Sequence, residues 1–565
     1  MFSRQAARAV CRDRRILLNK RWASSGLSSS SGGSSLGLVA ASSVAAAGIS
    51  FYIAKSYYDK PAVSTPSAVT KRTESIDRNL VQQEYGGKKE FDQALPELRK
   101  VLGEDGVSTD EEDLKTHGYS EWSTYNCETL PIAIVYPNST EEVSAIAKVC
   151  HKYKLPMIGY SGGSSLEGNF SANFGGICID FANMDKILEV RPDDMDCTVQ
   201  PAVGWMDLNK HLDSLGTGLF FAVDPGPTAK IGGMVNTSCS GTNCVRYGPM
   251  RNHVINLTVV LADGTIVKTK QRPKKSSAGY NLNHIFCGSE GTLGLVTEVT
   301  VKLEVVPQRT TVATCAFPTV RDATSTAIDV IKAGVPVHAV ELMDDVQMWA
   351  VNEAGYTAKK FEEKPTLFFK FSGTNAYVDE QIEQTRELAK KHGSTNFEFA
   401  SNKKEEHQIW AARKEALWSL MALAPKDSKV YSTDVAVPMS KLADLVLATK
   451  KDIVDSKIFG SALGHVGDGN FHASIMYTDE DKERVKKVAK NIVYNGLALE
   501  GTCTGEHGVG AGKLDYLADE LGADAIGIMR TIKLALDPHE LLNPGKIFTK
   551  ESIQRRIDIE NRQKK

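Results

Sequence analysis

The chain has no surplus of positive charge: 67 Lys and Arg stand against 69 Asp and Glu, for a net charge of −2. Phosphate backbones are bound by clustered Lys and Arg, so this balance argues against nucleic acid as a partner. It also has no cysteine framework. Its ten cysteines include no CxxC pair, and no spacing reads as a zinc knuckle or a disulfide scaffold. Scattered thiols of this kind are buried and reduced, and they do not carry chemistry. No tandem repeat is visible. What the chain does have is length and glycine. Its 565 residues exceed one ordinary hydrophobic core, so two or more folded units are expected. Its 46 glycines mark places where backbone approaches a ligand or takes positive φ.

The N-terminus lacks an apolar stretch directly after its basic start, which weakens a secretory reading. Residues 1–22 carry Arg4, Arg8, Arg12, Arg14, Arg15, Lys20 and Arg21 against the single acid Asp13, and Ser-rich sequence follows. That is the composition of a mitochondrial presequence, placed at 1–35. From Leu36 to Ala54 no residue is charged, and Phe51, Tyr52, Tyr57 and Tyr58 cluster at its end. Such a run is just long enough, at helical rise, to cross a hydrocarbon core of about 30 Å. A transmembrane anchor is therefore expected at 36–54, with a longer cleaved presequence as the alternative. The anchor would hold the body on the inner membrane, facing the intermembrane space. Residues 55–90 read as a polar linker and 91–130 as a lead-in.

From Pro131 to about 306 short β-branched runs alternate with Gly-rich turns. Ile132–Tyr136 reads as a strand, and Ser139 to Glu142 as a capping box opening a helix with Val143, Ile146, Ala147 and Cys150 inward. Asp263-Gly264 between two apolar runs predicts a hairpin. From 307 to 550 strands (311–317, 337–342, 366–371) alternate with longer amphipathic helices (379–392, 404–423), which predicts an α+β domain with an antiparallel sheet. Residues 551–565 form a charged tail.

Three constellations carry the chemistry. The first is a set of Gly-rich turns: Gly159 to Gly168, Pro225 to Gly233, Cys287 to Gly294, and Asn543-Pro544-Gly545-Lys546. Consecutive Gly and Ser after a strand expose N–H groups and hydroxyls that cradle a pyrophosphate. The first turn has neither the Lys-Ser/Thr end of a P-loop nor GxGxxG spacing. Alone it is equally a surface loop, but several such turns fit an extended cofactor.

The second is His465-Val-Gly-Asp-Gly-Asn-Phe-His472, with Glu506-His507 in a later Gly-rich loop. A two-residue turn at Asp468-Gly469 would pair Val466 with Phe471 and set His465 directly opposite His472. Two imidazoles and a carboxylate with open positions are catalytic-metal chemistry rather than a closed structural site. A lone His is usually a satisfied core residue, and it is the clustering that moves the reading. The third is Trp410-Ala-Ala-Arg413-Lys-Glu415, where Trp410 and Arg413 share a helix face and Arg413 offers a planar fork for a carboxylate. The bland alternative is an Arg paired with a neighbouring acid.

The segments at 156–168, 225–251 and 287–304 resemble the vanillyl-alcohol-oxidase-type flavoproteins, within their D-lactate, glycolate and D-2-hydroxyglutarate dehydrogenase branch. The similarity runs from about 100 to 550. It implies a PCMH-type FAD-binding domain at 131–306, followed by an α+β substrate- and metal-binding cap domain at 307–550. It implies non-covalent FAD, since no residue for covalent attachment stands out. Ser161, Gly162, Gly163, Ser164 and Ser165 would hold the pyrophosphate. Pro225, Gly226, Thr228, Gly232, Gly233, Asn236, Ser240 and Thr242 would contact the isoalloxazine or ribityl region. Glu290 and Gly291 would lie by the nucleotide half, and Asn543 would reach the flavin from the C-terminal domain. Cys287 stands where relatives often have Thr, which puts the local contact there in doubt.

The resemblance further implies that His465, His472 and Glu506 bind a divalent ion, Zn²⁺ or Mn²⁺. His507 would be the base, and Arg413 and Asn470 would contact the substrate. The implied reaction is oxidation of a small D-2-hydroxy acid, D-lactate, with cytochrome c as electron acceptor. D-2-hydroxyglutarate oxidation on the same fold, and a non-redox ether-lipid synthase, are the alternatives.

Overall fold

The computed structural model describes residues 83–563. The presequence, the apolar run at 36–54 and most of the linker lie outside the described residues. Among those described, no helix is long and apolar enough to cross a membrane.

The FAD-binding half opens with a helix, Lys88–Leu102, whose Ala94 and Leu98 pack on the crossover helix Thr140–Tyr153. That crossover helix begins where the capping pattern places it, with Ser139 Oγ accepting the Glu142 N–H, and it buries Val143, Ile146, Ala147 and Cys150. It joins two parallel strands, as parallel pairing requires a long connection. These belong to a four-stranded sheet in the order Val107–Ser108, Ala133–Val135, Ile177–Asp180, Met157–Tyr160. The first strand comes from the lead-in, so residues 91–130 are part of this half rather than a prelude to it. A five-stranded antiparallel sheet follows, in the order Ile187–Arg191, Asp196–Val199, Leu295–Lys302, Val254–Val260, Ile266–Lys268. The predicted hairpin is its edge pair, with Val260 opposite Ile266 and Gly264 at φ 85°.

The second half is built on an eight-stranded antiparallel sheet, as the pattern predicts. In Thr366–Gly373 the alternation is plain. Leu367, Phe369 and Phe371 face the helices Val320–Lys332 and Asn375–Lys391, while Phe368 faces Asp345–Ala354 and Lys403–Lys414. Period-two burial with helices on both faces makes every position in such a strand core. The helix expected over 404–423 is two helices, Lys403–Lys414 and Ala416–Leu423, divided at Glu415.

The chain then returns to the first half. The Met157 N–H donates to the Leu541 carbonyl (2.7 Å), and the Asn543 N–H to the Met157 carbonyl (2.8 Å). Buried Lys533 pins this return, donating to Asp537 Oδ2 (2.6 Å) and to the carbonyls of Thr292 (2.7 Å) and Leu542 (2.8 Å). A boundary at 307–550 therefore cuts across a segment that serves the other domain.

Candidate active site

A cavity of about 500 Å³ lies where the Gly-rich turns of the first half meet the cap. Ser161 to Ser165, Pro225, Gly226, Gly232, Gly233, Asn236, Thr242, Glu290, Gly291 and Asn543 all line it, together with Arg413, His465, Glu506 and His507. Two of the expected cofactor contacts do not. Thr228 is exposed and absent from the lining, and the Ser240 hydroxyl donates instead to Glu506 Oε2 (2.8 Å). Cys287 is buried among apolar side chains and is likewise not part of the wall.

The turns are held open by glycine at specific points. At Gly163 (φ 60°) a Cβ would sit 2.3 Å from the Tyr160 hydroxyl. At Gly226 and Gly233 a Cβ would project into open space, room that a side chain would take from a ligand. Asn543 donates its amide to the carbonyls of Asn169 (2.8 Å) and Glu290 (2.7 Å), leaving Oδ1 buried with no protein partner. An extended ligand with hydrogen-bonding groups fits these walls, as FAD does. Glu290 lines the cavity and has a further set of partners. Its carboxylate accepts the N–H groups of Val509 (2.7 Å) and Gly510 (2.7 Å) and the Asn169 amide (2.6 Å), so it fastens the loop carrying Glu506 and His507.

The two histidines converge, by a different route from the one the spacing predicts. The strands Phe459–Gly464 and Asn470–Tyr477 pair with Leu463, not His465, opposite His472. The turn is therefore a five-residue loop, 465–469, and His465 is its first residue. The rings still lie 5.6 Å apart. His465 Nδ1 is engaged by Glu341 Oε1 (2.8 Å) and His472 Nδ1 by the Thr433 carbonyl (2.9 Å). Those bonds turn both Nε2 atoms toward Glu506 Oε1, at 3.4 and 3.1 Å. Three donor atoms mutually within 4.8 Å, with both Nδ1 atoms occupied, are a donor set that fits a divalent cation. Burial alone would push the Glu506 carboxyl up, yet His465 and His472 hold it well below its ordinary range. Burial pulls His465 down, and the carboxylates of Glu341 and Glu506 outweigh it.

His507 stacks on His472, with ring centroids 5.2 Å apart. Burial lowers its pKa, with His472 and Lys513 adding to that and Asp434 opposing, so the neutral imidazole is favoured. Its Nδ1 has no hydrogen-bond partner. The loop that carries it is fastened by Asp434, whose Oδ2 accepts the Thr504 hydroxyl (2.7 Å) and the N–H groups of Gly505 (2.8 Å), Glu506 (2.9 Å) and His507 (2.9 Å). Asn470, expected at the substrate, donates its amide to Asp434 Oδ1 (2.9 Å) and does not line the cavity.

Arg413 is paired with an acid, as the bland alternative has it, and it faces the cavity as well. Its Nε and Nη2 donate to Glu341 Oε2 (2.9 and 2.7 Å), which leaves Nη1 for a ligand. Glu341 and Asp434 are the two functional residues that sequence reasoning misses. Both are acids inside strand-like apolar sequence, and a buried acid without a stated partner is the signal that could have drawn notice.

Comparison with known proteins follows this division. Residues 131–270 match the family described as FAD binding domain, and residues 306–547 that described as FAD linked oxidases, C-terminal domain. The chain is 46% identical to a mitochondrial D-lactate dehydrogenase (cytochrome) of Kluyveromyces lactis, over 83% of each chain. It is 43% identical to the corresponding Arabidopsis thaliana protein, over 83% of this chain and 82% of that one. Among solved structures, p-cresol methylhydroxylase superposes with a TM-score of 0.70 at 17% identity, over 82% of this chain and 98% of the other. That likeness establishes the PCMH-type fold.

Proposed function

Because the chain belongs to the FAD-linked oxidases, among the mitochondrial D-lactate dehydrogenases (cytochrome), we propose that it oxidises D-lactate to pyruvate in the mitochondrion. The observation that carries the mechanism is convergence: Arg413, His465 and the adjacent pair Glu506-His507, from three separate segments of the cap, face one cavity walled by the Gly-rich turns.

Arg413 holds the substrate carboxylate through the guanidinium edge that Glu341 leaves free. His465, His472 and Glu506 would hold a divalent ion, zinc or manganese. When bound, FAD supplies the acceptor for the hydride leaving C2, and the cation supplies charge that lowers the pKa of the 2-hydroxyl. His507, kept neutral by burial, takes the hydroxyl proton as the C2–H bond breaks and the carbonyl forms. Asp434 keeps that imidazole in place through the backbone of its loop.

The relatives' names support a cytochrome as the electron acceptor, and cytochrome c is the acceptor we assign. The apolar run at 36–54 supports placement on the inner membrane with the body in the intermembrane space. The test is an anaerobic substrate panel: both lactate enantiomers, glycolate and both 2-hydroxyglutarates, followed at the flavin absorbance band. D-lactate bleaching the flavin fastest, with pyruvate formed in equal amount, is the expected result. Faster bleaching by D-2-hydroxyglutarate, or none by any member, would overturn the assignment.

A further inference from the structure

Glu341 stands at the centre of the strand Ala339–Met343, within the cap sheet, and is 1% exposed. Its neighbours in the strand explain its direction. Val340 and Leu342 belong to the core on one face, while Met343 belongs to the cluster on the other, the face against which Lys403–Lys414 packs. Alternation sends Glu341 to that second face, toward Arg413. Burying a carboxylate is costly unless it is paired. Here one oxygen meets His465 Nδ1 and the other meets Nε and Nη2 of Arg413.

We propose that Glu341 is a positioning residue that sets two parts of the machinery at once, the tautomer and aim of the ion-binding histidine and the aim of the substrate-binding arginine. The inference rests on the ion site and substrate clamp assigned above. For His465 to offer Nε2 to an ion, its proton must sit on Nδ1, and an acceptor must hold it there. For Arg413 to present Nη1 to a ligand, its other edge must be fixed by a planar acceptor. A carboxylate has an acceptor at each end and serves both. An amide has one acceptor end and one donor end, so it can serve only one.

That asymmetry decides what Glu341→Gln does. The amide oxygen is drawn to the permanently charged Arg413, which turns the NH₂ group onto His465 Nδ1. That nitrogen must then accept, the proton moves to Nε2, and a donor points where the ion should sit. The isosteric replacement keeps the volume of the buried site, so the fold and the flavin cavity remain.

The experiment uses the FAD-loaded protein, stripped with a chelator and titrated with manganese(II), the free ion being counted by its electron paramagnetic resonance signal. Wild type is expected to bind one ion. Glu506→Gln, which removes a ligand, serves as the reference for loss of the site. Glu341→Gln is expected to keep its FAD absorbance and melting behaviour while binding manganese about 10–100-fold more weakly, the range for loss of an outer-sphere partner. Should Glu341→Gln not fold, Glu341→Asp, whose shorter carboxylate cannot span both partners, is read in the same way. Manganese affinity equal to wild type in the folded variant would overturn the proposal. So would loss of FAD together with the ion, which marks a general structural role. If wild type itself binds no ion, the ion site and this role fall together, whereas wild-type binding with an indifferent variant removes only the role of Glu341.

Discussion

Glu290 accepts the backbone N–H of Val509 at 2.7 Å, so a carboxylate of the FAD-binding half fastens the loop that carries His507. The neighbouring N–H of Gly510 makes a second bond of the same length. Glu290 is buried at φ 52°, a conformation that a non-glycine residue adopts only when its surroundings demand it. The reacting groups are thereby referenced to the flavin cavity itself, not only to the cap.

From this contact, Glu290→Gln leaves one of three donors facing an NH₂ group, at a cost of about 1–3 kcal/mol for the unsatisfied group. The expected outcome is a lower kcat for D-lactate with FAD still bound, and a lower Tm. Stopped-flow flavin reduction and thermal unfolding measure the two effects. A variant with wild-type rate and stability would show that the bond is incidental.

His507→Asn removes the base, and with it the imidazole that stacks on His472. Flavin reduction by D-lactate should fall by about 10²–10⁴-fold, the usual worth of general-base help, while the oxidised flavin spectrum is unchanged. Reduction at the wild-type rate would remove His507 from the mechanism.

Prolonged chelation should abolish D-lactate oxidation, and zinc or manganese should restore it, since His465, His472 and Glu506 hold their donor atoms within 4.8 Å of one another. The restored activity, assayed as reduction of cytochrome c, should be absent in Glu506→Gln. Full activity after metal is shown to be removed would exclude an ion from catalysis.

A pH effect on stability is expected far from the chemistry. His117 Nε2 lies 3.0 Å from Asp180 Oδ2, and its Nδ1 meets the Asp113 carbonyl at 2.8 Å. Burial lowers its pKa, but these bonds and the two carboxylates win and raise it above the ordinary value. A raised folded-state pKa stabilises below the unfolded value, and that contribution is lost as pH rises through the folded one. The Tm difference between wild type and His117→Gln should therefore be larger near about pH 6 than near about pH 9. A difference independent of pH would mean that the pair is not charged.

Much of the site was legible in the primary structure because its parts are local patterns. Gly-Gly beside Ser, a pair of histidines around Asp-Gly-Asn, and Glu-His between glycines each signal their chemistry within a few residues, and the cavity gathers them. The antiparallel cap was legible for the same reason, since period-two alternation is a property of consecutive residues. The hairpin register was not, because a turn of two residues and a loop of five are separated only by how the strands pack. Placing Leu463 opposite His472 is a choice made by the sheet.

Motif order, through the resemblance it carries, was enough to specify the type of cofactor and most of the residues that line the cavity. The roles of Glu341, Asp434 and Glu290 arise only through folding, since their partners lie between 36 and 220 residues away along the chain. The physical reason is that a buried carboxylate is tolerated only where donors from other elements surround it, and no local pattern records which donors those will be. Chemistry was written in short stretches of chain, whereas its alignment came from long-range contacts.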